Sequence, residues 1–245
     1  MEPVTVVFAA ALLTAVTTGL GAVPLLLVRA ISARVAGWAH AAAAGLMLAA
    51  SHALIAEGGA LDMALVLAGA VTGLFAVLAA DRWLDAAGDV NVAELAGADA
   101  RRALLILGVM TAHSFAEGVG VGVSFAGSEG LGAFITTAIA LHNVPEGLAI
   151  ALVLVPRGTP VSKAAAWAVF TSLPQPLMAV PSFLFVEWAR PLLPVGLGFA
   201  AGAMLWMVFA ELVPDALERA SARSVGAAVV LAFAIMMSVQ RFALH

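Results

Sequence analysis

Long apolar runs separated by short polar breaks fill the whole chain. A helix needs about 20 apolar residues to cross the hydrocarbon core of a bilayer. By that measure the pattern predicts eight transmembrane helices, at roughly 4–28, 36–56, 62–81, 103–125, 131–155, 161–187, 192–213 and 222–242. Most breaks carry charge, proline or glycine: Arg29 to Arg34, Glu57-Gly58-Gly59, Gly127-Ser128-Glu129-Gly130, Pro156-Arg157-Gly158 and Arg190-Pro191. Connections this short force neighbouring helices to run antiparallel. Only the connection at about 82–102 is long. It is acidic (Asp85, Asp89, Glu94, Asp99), with Arg82, Arg101 and Arg102 at its ends. No segment reads as a separate soluble domain. The expectation is an all-α polytopic membrane protein in which residues 1–245 form a single transmembrane domain.

Composition narrows the class. With 63% hydrophobic and 11% charged residues, too few polar groups exist to coat a water-soluble globule. An ordinary soluble enzyme and a disordered chain are excluded. A net charge of −4 also leaves no basic excess for nucleic acid. The absence of cysteine removes disulfides, thiolate metal sites and cysteine nucleophiles. Tyrosine is absent too, so interfacial anchoring falls to Trp38, Trp83 and Trp188. The start, Met1-Glu2-Pro3-Val4, lacks the positive n-region of a signal peptide, and the run after it is too long for one. It reads as a retained span. Together with the Ala-rich composition, this points to a multi-pass protein of the cell (inner, cytoplasmic) membrane.

The positive residues set an orientation. Arg29, Arg34, Arg82, Arg101, Arg102, Arg157, Lys163, Arg219 and Arg223 fall on one set of loops, and Arg190 and Arg241 on the other. Positive residues mark the cytoplasmic side, so both termini are expected outside.

Against this background two spans carry ionisable residues in the same pattern. The fourth reads His113-Ser114-Phe115-Ala116-Glu117-Gly118 and the fifth His142-Asn143-Val144-Pro145-Glu146-Gly147. A spacing of i, i+4 puts each histidine and glutamate on one helix face. In an antiparallel hairpin both motifs lie near mid-span, so two imidazoles and two carboxylates are expected to converge at one depth. An ionisable residue at that depth is functional by default. Imidazole nitrogen with carboxylate oxygen suits zinc, iron(II), manganese or cobalt, and two carboxylates neutralise a divalent ion. Pro145 is expected to kink its helix and free a carbonyl near Leu141. Gly118 and Gly147 allow close backbone approach. Glu211, inside the seventh apolar stretch, is the candidate for an inner ligand on the way out. Asp215 and Glu218 read as a charged helix terminus, and His40 lies near the inner interface. Ser51, His52 and Glu57, near Asp62, mark the outer end of the second span.

The two motifs, in an eight-span chain with a variable connection after span three, resemble the ZIP (Zrt/Irt-like) family of divalent metal transporters. The stretches Ala44-Gly-Leu-Met-Leu-Ala-Ala-Ser51 and Gly202-Ala-Met-Leu-Trp-Met-Val-Phe-Ala-Glu-Leu-Val-Pro-Asp215 are similar to the family's patterns at those places. The resemblance implies a transport site of His113, Glu117, His142 and Glu146, with Met47 as a thioether ligand seen in some members. Composition alone would make Met47 core packing. It also implies a 3+2+3 arrangement, spans 1–3 and 6–8 around spans 4–5, and alternating access. Family members often form homodimers, although no dimer patch is legible here. Some members hold a second ion through an Asn or Asp after each motif histidine and a Glu on span six. Here those positions read Ser114, Asn143 and Gln175. No carboxylate remains among them, so one tightly held ion is expected, with Asn143 and Gln175 as weak or indirect partners. The family's His-rich cytoplasmic loop is missing.

The expected function is import of a divalent cation, zinc first, carried as bound substrate rather than as a catalytic cofactor. The expected partners are metal ions and the lipid bilayer, not nucleic acid. An intramembrane metalloenzyme could use the same cluster, but the chain lacks His-Glu-x-x-His and Gly-x-Ser-x-Gly. A metal sensor would need an output domain, and a proton-coupled carrier of an organic substrate would use the His and Glu as a relay.

Overall fold

The computed structural model describes residues 2–28, 31–87 and 97–244. Every regular element among them is helical: α1 (Pro3–Leu20), α2 (Pro24–Leu27), α3 (Ala33–Ala87), α4 (Gly97–Gly127), α5 (Glu129–Leu154), α6 (Val161–Ser172), α7 (Pro174–Trp188), α8 (Leu193–Met207), α9 (Val213–Arg219) and α10 (Ala222–Leu244). A π turn, Val208–Leu212, joins α8 to α9. Six of the described segments are long and apolar enough to cross a membrane: Pro3–Leu27, Ala33–Ala80, Glu129–Arg157, Val161–Trp188, Arg190–Arg219 and Ala222–Arg241. Leu27, Leu177, Trp188, Phe209, Val230 and Leu231 are exposed on the outside. An apolar surface of this extent suits lipid rather than water.

The sequence places the end of the second span at Glu57-Gly58-Gly59, but these residues stay helical. The chain instead turns at Asp62, whose backbone is extended (φ −160, ψ 105). The reason is chemical. Aspartate is a strong N-cap, and Asp62 Oδ1 accepts from the backbone N–H of Leu65 at 3.1 Å. Gly58 then serves packing, since a Cβ there would lie 2.6 Å from a Val66 methyl across the turn. The expected 82–102 connection also differs, because α3 runs on to Ala87 and α4 begins at Gly97. Asp89 and Glu94 lie outside the described residues.

Small residues set how closely the helices pack. Gly69 and Gly73 of α3 face Gly198 and Gly202 of α8. A Cβ on any of the four would fall 2.1 Å from a carbonyl oxygen of the other helix. This is a reciprocal Gly-x-x-x-Gly crossing. The main core centres on α5, with Leu131, Phe134, Ile135 and Ile139 fully buried. Ser128 starts that helix by accepting from the N–H of Leu131 at 3.1 Å, and α5 continues through Pro145. The sixth apolar run is divided. Pro174 and Pro176 lack the N–H that an unbroken helix needs, so α6 stops at Ser172 and α7 opens with Gln175 in its first turn.

Candidate metal centre

The motif side chains lie inside the bundle where α4, α5, α7 and the π turn meet. Glu117, on α4, is 1% exposed. Its Oε1 lies 2.8 Å from Nε2 of His142 on α5. The same His142 nitrogen is 3.8 Å from Oε2 of Glu146, one turn further along α5. One imidazole thus sits between two carboxylates. Ligand atoms of Glu117, His142 and Glu146 all lie within 4.8 Å of one another, a spacing that could hold a metal ion.

His113 shares the helix face of Glu117 but turns to another partner. Its Nε2 is 2.9 Å from Oε1 of Glu211, 98 positions along the chain. Glu211 sits on the π turn. Pro214 cannot donate to the carbonyl of Ala210, and the turn widens where that bond is missing. Glu117 and Glu211 are both close enough to Glu146 to act on its charge. Of the four motif residues, Glu117, His142 and Glu146 come together, while His113 pairs with Glu211 beside them.

Gln175 occupies the other side of Glu117. Its Nε2 donates to Glu117 Oε2 at 2.5 Å. Its Oε1 accepts from Thr14 Oγ1 at 2.5 Å and from Asn143 Nδ2 at 3.3 Å. Asn143 also donates to the Thr14 carbonyl at 2.7 Å. Gly118 makes this possible, because a Cβ there would stand 2.5 Å from the Gln175 carbonyl oxygen. Thr14 was not legible as a site residue. Its signal is the Thr14-Ala-Val-Thr-Thr18 stretch in an otherwise apolar helix. Thr18 repeats the contact one turn on, 2.8 Å from the Ser172 hydroxyl. Ser114 is buried and donates to the Met110 carbonyl of its own helix at 3.1 Å. Met47 is buried in the main core, and its carbonyl accepts from the Ser51 hydroxyl at 2.9 Å.

Polar satisfaction is uneven. Both oxygens of buried Glu146, Nδ1 of His142 and Oδ1 of Asn143 have no hydrogen-bond partner among the described residues. A buried carboxylate without a donor is costly unless a cation or a proton joins it.

These features define a multi-pass helical membrane protein with a buried His–carboxylate cluster. A family model described as ZIP Zinc transporter matches residues 84–240, and the chain belongs to that family. A protein of Arabidopsis thaliana named for zinc transport is 46% identical over 227 residues, covering 91% of this chain and 36% of its own length. The zinc transporter GufA of Myxococcus xanthus is 37% identical over 114 residues, 46% of this chain and 45% of that protein. The zinc transporter ZIP11 of Homo sapiens is 32% identical over 161 residues, 60% of this chain and 45% of that protein. The chain thus spans between a third and a half of the length of these relatives. They are named as transporters rather than enzymes.

Proposed function

We propose that the chain carries a divalent cation, zinc first, across a cell membrane toward the cytoplasm. The observation that carries this reading is Glu146. It is buried beside a second carboxylate and an imidazole, with both of its oxygens unpartnered. A divalent ion there would engage Glu117, His142 and Glu146 and balance the two carboxylates. His113 would join by leaving Glu211, and Met47 would add a thioether. Glu211, freed, becomes the next oxygen ligand toward the inside. Exchange of His113 between Glu211 and the ion would couple loading to movement of the surrounding helices, as alternating access requires.

The same reading sets the topology. The stretch Ala33–Ala80 has 48 residues. Fully helical, it would be about 72 Å long, more than twice the roughly 30 Å hydrocarbon core. It therefore crosses twice, folding at Asp62. With α4 this makes eight crossings in one domain, residues 1–245, with α4 and α5 between two groups of three. Both termini face outward, and Arg34, Arg157, Arg219 and Arg223 face the cytoplasm.

Uptake is the test. Liposomes containing the purified chain should accumulate zinc down a gradient, and protein-free liposomes should not. Uptake should fall as the outer solution is acidified. Protons compete for the same imidazole and carboxylate lone pairs, and metal binding releases them. Zinc entry no faster than into empty liposomes would refute the reading.

Ion count follows from Gln175. An amide donating to Glu117 stands where another carboxylate would be needed to balance a second divalent ion. Wild type should hold one ion tightly per chain by equilibrium dialysis. Gln175→Glu should raise that count to two. Two tight ions in wild type, or one in the variant, would contradict the assignment.

A further inference from the structure

The structure points to a second, weaker cation site at the cytoplasmic mouth, built on His40 and Asp215, where an ion leaving the buried cluster halts before release. This rests on the transport reading above.

His40 lies on the first half of α3 and is 5% exposed. Its Nδ1 is buried and makes no hydrogen bond among the described residues. Asp215 Oδ2 of α9 lies 3.7 Å from it. That is too long for a hydrogen bond. It is close to the spacing of two ligands on one ion, since nitrogen and oxygen each about 2.1 Å from a tetrahedral metal lie about 3.4 Å apart. Both residues line a cavity of about 440 Å³. Half of the Asp215 side chain is solvent-exposed, so an ion held there is already in contact with water.

The position of this cavity relative to the cluster is read from helical spacing. Asp215 is one turn beyond Glu211, and Glu218, also in the lining, is nearly one turn further. Ala149 and Val153 form the facing wall. They lie one and two turns beyond Glu146 on α5, where residues so spaced share a face. His40 is two turns before Met47. Three helices that supply the cluster or its candidate ligands therefore continue into this cavity at their cytoplasmic ends. None of His113, Glu117, His142 or Glu146 lines it, so it is a separate stop.

Arg157 and Arg219 also line the cavity, and Arg219 is close enough to act on the charge of His40. Two guanidiniums opposite two carboxylates keep the attraction for a cation shallow. A shallow site holds an ion briefly, which suits the last position on a path. Ligand charge count sets metal affinity, so this site should be weaker than the cluster by about tenfold or more.

Cobalt(II) alone is the probe, titrated into the purified full chain and followed by equilibrium dialysis. Wild type should bind one ion tightly and one weakly. His40→Gln and Asp215→Asn should each weaken the second ion at least about tenfold while keeping the first. Retention of the tight ion shows that these variants are folded. Glu146→Ala should do the reverse, losing the tight ion and keeping the weak one. Tight binding of one ion in wild type with no second, weaker ion would overturn the inference. So would a weak ion that neither His40→Gln nor Asp215→Asn affects. Failure of the central reading registers separately, as a wild-type chain with no tight ion.

Discussion

Glu117→Gln should reduce zinc uptake by the reconstituted chain about 100-fold or more while leaving the fold intact. The two halves of that expectation come from different atoms. Glutamine has the volume of glutamate, and its carbonyl oxygen can still accept from Gln175 Nε2, now 2.5 Å from Glu117 Oε2. Its amide can face His142 Nε2, now 2.8 Å from Glu117 Oε1. A neutral imidazole protonated at Nδ1 accepts there. Every hydrogen bond of the site therefore survives, and thermal unfolding should stay close to wild type.

The charge does not survive. With Glu117 neutral, Glu146 is the one carboxylate left in the group of three, in a region where few charges can compensate a divalent ion. Loss of an outer partner of a metal ligand already costs about 10–100-fold in affinity, and loss of a charged ligand should cost at least that. Zinc uptake within tenfold of wild type, in a variant with an unchanged unfolding temperature, would remove Glu117 from the site. A variant that has lost both activity and stability would instead assign Glu117 a packing role.

Much of this was legible in the chain because the physics is local. Hydropathy over a window of residues reports a span whatever its neighbours are. The spacing of His113 to Glu117 and of His142 to Glu146 fixes a shared face within one helix. The lack of a carboxylate at Ser114, Asn143 and Gln175 was legible only against the ligand pattern that the family resemblance implies. Non-local pairing was not legible. Nothing in the sequence favours Glu211 over Glu117 as the partner of His113, since that choice depends on where the π turn places a side chain 98 positions away. Thr14 reaches Gln175 across 161 positions. The bend at Asp62 rather than Gly58-Gly59 was misplaced for another reason. Glycine is a helix breaker only where nothing rewards close packing, and Val66 packs against Gly58.

Close packing also sets the second large expectation, at Gly147. Substitution to alanine should lower the unfolding temperature by about 10 °C or more and weaken zinc binding with it. A Cβ at Gly147 would lie 1.7 Å from the carbonyl oxygen of Thr18 in α1. Gly21 is its counterpart, where a Cβ would meet the Leu148 nitrogen at 2.2 Å and the Val144 oxygen at 2.3 Å. These obstacles are backbone atoms, which cannot rotate away as a side-chain tip would. Ordinary contact begins at 3.4 Å, so α1 and α5 would have to part by about 1.5 Å or tilt. Overpacking of this kind costs about 1–3 kcal/mol. The same helix pair holds the Asn143 bond to the Thr14 carbonyl, at 2.7 Å. Parting the helices leaves buried Asn143 and Gln175 short of partners, at about 1–3 kcal/mol each. The loosened Gln175 no longer steers Glu117, which is how a substitution on the face of α5 that packs against α1 reaches the cluster. Gly226→Ala is the internal control, because a Cβ there meets nothing within 4 Å, and alanine is the better helix former. It should unfold at or slightly above the wild-type temperature. Gly147→Ala unfolding within about 2 °C of wild type would show that α1 does not brace the site through this contact.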